Sequence, residues 1–119
     1  MQACLIVFIL IAFDIVTGIT KALAKGYVKS SCLREGLFRK CGEIFSLFGA
    51  WMMEYANQAL DMGVNIPLYT GVAVYISIME ITSIIENICE INPRMASIFK
   101  PYLDSIDKTK EEDNEEKRD

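Results

Sequence analysis

Apolar positions in this chain gather into three long runs separated by polar connections, and the period of the polar interruptions is helical throughout. The first run is Ala3 to Ala24, ACLIVFILIAFDIVTGITKALA, unbroken to Phe13 and interrupted by Asp14. As a helix it would extend roughly 33 Å, enough to cross a bilayer core. The second is Cys41 to Leu60 and the third Ile66 to Ile91, with Pro67 suited to a first helical turn and Asn92-Pro93 as a stop signal. The third run is rich in isoleucine and valine but too long for one strand and holds no turn signal, so helix is expected there too. Met95, Ile98, Phe99, Tyr102, Leu103 and Ile106 then recur at helical spacing and predict a short amphipathic surface helix.

The runs differ in how well a membrane would accept them. About twelve Leu, Ile, Val and Phe side chains give the first segment very roughly -4 to -7 kcal/mol of insertion free energy, against about +3 for Asp14. It inserts despite its carboxylate, with Lys21 and Lys25 near enough to its end to reach the headgroups. Ala22-Leu23-Ala24 has the look of a cleavage site. No basic residue precedes the apolar run, however, Asp14 lies inside it and Lys21 crowds the site, so a retained span is expected. The second segment must offset Glu43, Glu54 and Asn57 with few strongly apolar residues, and it needs help to stay inserted.

Charge placement gives these spans an orientation. The connection Lys25 to Lys40, KGYVKSSCLREGLFRK, holds five basic residues and one acid, the turn Asp61 to Asn65 holds no base, and Arg94 and Lys100 follow the third segment. By the positive-inside rule the N-terminus lies outside, while the first loop and the C-terminal end lie in the cytosol. Of the 119 residues, 52% are hydrophobic and the net charge is -4, with seven acids and four bases concentrated in residues 107–119. That tail has no apolar residue to bury and reads as disordered. The expected architecture is therefore all-α: a membrane domain over residues 1–106 with spans at about 3–24, 41–60 and 66–91, a short amphipathic helix, and a disordered acidic tail.

Candidate chemistry is sparse. The chain has no histidine, so the commonest general base and transition-metal ligand is missing. Cys4, Cys32, Cys41 and Cys89 form no C-x-x-C pair and read as small buried hydrophobes in a reducing compartment. There is no glycine-rich phosphate loop and no nucleophile beside a base. No catalytic residue, cofactor or metal is expected, and an acidic chain with one short basic loop gives no support to nucleic-acid binding.

What remains is the polar residues inside the spans. Glu43, Ser46, Ala50, Glu54, Asn57 and Asp61 follow steps of three or four and form one narrow stripe, opposite Ile44, Phe45, Phe48 and Met52. Such a helix can lie flat, pack with its stripe inward, or line an aqueous opening; Glu43, Ser46, Glu54, Asn57 and Asp61 are the candidate lining residues. On the third segment Ser77, Glu80, Ser83, Asn87 and Glu90 share a side, with Glu86 at its edge. On the first, Asp14, Thr17, Gly18, Lys21 and Lys25 share a face, with Thr17 and Gly18 small enough for close helix approach. Carboxylates at such depth must pair, take a proton or face water. For Asp14 the plain expectation is pairing with Lys21 or a protonated acid that fixes packing, and the alternative is a direct role in conduction. A soluble bundle whose stripes face solvent is the plainer alternative, and the nearly all-apolar first segment argues against it.

Three pieces of the chain resemble the toxin secretion and phage lysis holins of Gram-positive bacteria and their phages. They are Asp14-Ile15-Val16-Thr17-Gly18 with Ala22; Ser30-Ser31 with Gly36-Leu37 and Lys40; and Glu80 to Asn87, EITSIIEN, including Ser83 and Glu86. They stand in the family's order and at similar spacing over roughly residues 10 to 93. The resemblance implies a small, non-enzymatic multi-pass protein of the bacterial cytoplasmic membrane. It also implies self-association into homo-oligomers and lesions in the lipid bilayer through which an endolysin or a secreted toxin crosses. Two departures stand out: family members usually carry a further stretch ahead of the D-x-x-T-G helix, so a truncated or abbreviated start is expected, and Met79 stands where asparagine is frequent. The rival reading from another class is a small membrane adaptor whose cytosolic tail recruits a partner without permeabilising anything.

Overall fold

A computed structural model describes residues 2–26 and 28–118. Met1, Tyr27 and Asp119, which the expected membrane domain and tail include, lie outside the described residues. The described chain is helical: α1 (Gln2–Ala24), α2 (Ser30–Leu60), α3 (Leu68–Ile91), a short 3-10 turn (Pro93–Met95) and α4 (Ala96–Arg118).

Helix ends follow local chemistry. After α1 the chain turns at Gly26, whose φ of +84° lies in the left-handed region that a Cβ disfavours. At the end of α2, Asp61 takes a left-handed conformation, φ 48° and ψ 54°, with its N–H on the Asn57 carbonyl. The Asn57 side chain then closes the loop, its Oδ1 accepting from Val64 N–H at 3.0 Å. Asn92 stops α3 and accepts from Arg94 N–H at 3.3 Å, while Pro93 opens the next turn.

α1 and α3 form the most extensive helix pair and run parallel; α2 lies antiparallel, mainly against α3. Register follows from the contacts, because Thr17 meets Asn87 and Lys21 meets Glu90, a constant offset of about 70 residues. On α2, Lys40 meets Glu80 while Glu54 meets Tyr69, so there the numbering runs in opposite directions. One end of the bundle holds an apolar core of Val7 and Ile11 from α1, Leu47 from α2, and Ala73 and Ile76 from α3. Further along, the buried interior turns polar.

Three points bear on the expected architecture. The second helix begins at Ser30 and not at Cys41, so the basic connection shrinks and Arg34, Arg39 and Lys40 ride on a helix of 31 residues. An internal Gly36 is no barrier, since a helical glycine costs about 1 kcal/mol against alanine and tertiary packing overrides it. Second, among the described helices α1 and α3 are apolar and long enough to cross a membrane by length and composition and α2 is not, in keeping with the weak insertion expected of the second segment. Third, the tail expected to be disordered continues α4 as helix to Arg118, past an internal Pro101. Its glutamates and lysines are good helix formers, and Asp104 stands four residues before Lys108 in the favourable order. Helix without burial needs no apolar face, which is the signal used to read the segment as disordered.

Candidate functional site

The polar interior is built around Lys40. Its Nζ lies on Asp14 Oδ2 of α1 and on Glu80 Oε2 of α3, and the ammonium joins all three helices. Asp14 and Glu80 are 7% and 2% exposed, so both carboxylates are removed from any solvent. Asn87 extends the network: its Nδ2 donates to Asp14 Oδ1 at 3.0 Å and to Thr17 Oγ1 at 3.1 Å. Thr17 in turn donates to the Asp14 backbone carbonyl at 3.0 Å. Gly18 stands beside the same amide, where an added Cβ would meet Asn87 Nδ2 at 3.7 Å, an ordinary contact.

Local periodicity explains why these side chains converge. Asp14, Thr17 and Gly18 occupy one helical face through steps of three and four, and Glu80 and Asn87 are two turns apart on α3. Parallel packing of α1 on α3 then superposes the two faces, and α2 delivers the cation between them. Glu43, one turn beyond Lys40, interacts with Glu80, carboxyl to carboxyl, and its buried Oε2 has no hydrogen-bond partner. One ammonium thus serves a neighbourhood of three carboxyls. In an apolar surround this is an electrostatic clamp, because removing one partner of a buried ion pair typically costs about 3–5 kcal/mol. It offers no nucleophile beside a base. Among the described residues no group of three or more His, Cys, Asp or Glu side chains is arranged to hold a metal ion, and the four cysteines, expected as buried, are free and half-buried (Cys4, Cys89) or exposed (Cys32, Cys41).

The structure therefore brings together Asp14, Thr17, Gly18, Lys40, Glu80 and Asn87 and leaves the other quoted motif residues apart. Ala22 and Ser83 are half-buried beyond the network, Gly36 is half-buried with open space at its Cβ position, and Ser30, Ser31 and Glu86 are exposed. The expected Asp14–Lys21 pair is not formed. Lys21 instead lies 3.6 Å from Glu90 and Lys25 lies 2.7 Å from the same carboxylate, fastening the ends of α1 and α3 together. Asp14 finds Lys40 because α2 starts eleven residues earlier than its apolar run suggests. The one available signal was that Lys40 is the last motif residue before the second apolar run.

The candidate lining stripe does not form one water-facing surface. Glu43 turns toward Glu80, Ala50 is buried, and Glu54 Oε1 accepts from the Tyr69 N–H at 2.9 Å, capping an otherwise unpaired donor in the first turn of α3. Asn57 closes the α2–α3 loop, Ser46 is exposed and bonded to its own Gly42 carbonyl, and Asp61 is an exposed helix terminus.

A family model described as the bacteriophage holin family matches residues 1–108, and the chain belongs to that family. Neither the curated proteins nor the solved structures provide a match.

Proposed function

From that membership, which supports a holin-like role in phage lysis in a non-enzymatic membrane protein family, we propose a holin with three membrane crossings and a closed state held by the Lys40 clamp. The observation that carries this reading is the parallel course of α1 and α3. If two parallel helices both cross, the chain between them must return across the bilayer, and α2 is the only helix available to do so. Alone it is too polar, since a carboxylate or ammonium at the bilayer centre costs about 2.5–3.5 kcal/mol even on the lenient scale. Shared between Asp14 and Glu80, the Lys40 charge is offset, and Glu54 is occupied at the start of α3.

Lys25, Lys29 and Arg34 at the connection of α1 to α2, with Arg94 and Lys100 after α3, support an outside N-terminus and a cytosolic C-terminus in the bacterial cytoplasmic membrane. Accumulated copies associate into homo-oligomers, the inward polar residues of α2 exchange their partners within one chain for water, and an endolysin or toxin crosses the resulting lesion. Induced expression in a bacterium, with potassium efflux and membrane potential followed together, tests this. Abrupt potassium loss after a delay is the expected result. Continued growth at full potential with abundant membrane-inserted protein would remove the holin reading.

A further inference from the structure

We infer that an exposed flank of α2 is a self-pairing surface occupied by the α2 of a second copy, with Arg39 of one copy set on Glu35 of the next. The inference rests on the three-crossing reading above. About a quarter turn round the helix from the buried face that carries Lys40, Leu47 and Ala50, α2 presents Glu35, Arg39, Gly42, Ser46, Gly49 and Met53, spaced alternately by four and three residues. That is the spacing of a helix-pairing seam. All are exposed except Gly49, which is half-exposed.

Charge and depth together select the occupant. Arg39 adjoins Lys40, which lies on Glu80 midway along α3, so an exposed guanidinium stands at the level where α3 is deepest in the bilayer. Neither Arg39 nor Glu35 enters an ion pair among the described residues. Lipid tails cannot satisfy either group. A second copy can, because copies inserted in the same sense present parallel α2 helices. Each then offers a carboxylate one turn from its guanidinium on the same face, so that one chain complements the next. Gly42 and Gly49 lie one heptad apart, and a Cβ at either would meet nothing within 4 Å, which leaves room for a neighbouring backbone. The large rings of Phe48, Trp51 and Tyr55, stacked at 5.8 Å centroid spacing, lie on a different flank and stay with lipid.

The test uses the full chain in membranes, with Cys4, Cys32, Cys41 and Cys89 replaced by alanine and one cysteine returned at a time. Ser46→Cys should oxidise to a disulfide dimer at least about tenfold faster than Tyr55→Cys. Equal rates, faster reaction at Tyr55→Cys, or no dimer at either position would overturn the surface. Glu35→Arg and Arg39→Glu should each lower the Ser46→Cys dimer yield about tenfold, and the exchange of both in one chain should restore it. Failure of that restoration, with membrane-inserted amounts equal, would overturn the ion-pair register. Potassium efflux is recorded in parallel: dimers without efflux would reject the holin reading and leave this surface standing, whereas efflux without dimers would do the reverse.

Discussion

Lys40 is the residue on which the polar interior depends. Changing it to methionine leaves Asp14 and Glu80 facing one another, with Glu43 close by, and no cation among them. The expected penalty is about 3–5 kcal/mol. Its readout is the sidedness of a reporter cysteine at Asp61, labelled by an impermeant reagent: in Lys40→Met the fraction labelled from outside should fall sharply. Adding Asp14→Asn and Glu80→Gln should restore it, and a Lys40→Met chain labelled like the parent would show the clamp to be dispensable. The motif residues were legible one by one in the sequence, including Asp14, Lys40, Glu80 and Asn87. Their meeting was not, because the choice between Lys21 and Lys40 for Asp14 is made by the register of α1 on α3 and by where α2 begins. Helical spacing within one segment carries neither fact.

At the level of elements, α2 has the least favourable sequence for its position and the most specific set of contacts. α1 was readable from its unbroken apolar run, and α3 from its length and its flanking Pro67 and Asn92-Pro93. The start of α2 was obscured by Gly36 and by a cluster of charges that resembles a loop in composition. The contacts that hold it are a cation, an N-terminal cap on α3 through Glu54, and a loop closed by Asn57. A cysteine at Val28 and one at Asn65, placed singly in a cysteine-free chain, should react from opposite sides of the membrane. Reaction of both from the cytosolic side would mean that α2 lies along the surface and that α1 and α3 do not both cross in the arrangement described.

Over the whole molecule, the described bundle is elongated, 54 × 34 × 26 Å, and α4 is attached at one end of α3. The tail beyond Asp107 makes no apolar contribution to the bundle, so deleting residues 108–119 should leave membrane insertion and the labelling pattern of the loops unchanged. It should also remove helical signal in proportion to its length, which circular dichroism of the purified protein in detergent would measure. Unaltered lysis competence in that deletion would count against a recruiting tail, whereas complete loss would favour the adaptor reading. Composition read this segment as unable to fold into a core, and its described side chains are all exposed. What composition could not register is that a lysine- and glutamate-rich stretch can extend an existing helix once the preceding turns have nucleated it.

The clamp also imposes an order on biosynthesis. Lys40 leaves the ribosome 40 residues ahead of Glu80, an interval of about 2–8 seconds at ordinary elongation rates. During that interval Asp14 is the only one of its two partner carboxylates already made, and the α3 backbone that Glu54 caps does not exist until Tyr69 is added. On the three-crossing reading, a nascent chain paused before Tyr69 therefore presents the insertion machinery with a polar hairpin lacking its third wall, and α2 gains its full set of contacts only after its own synthesis is complete.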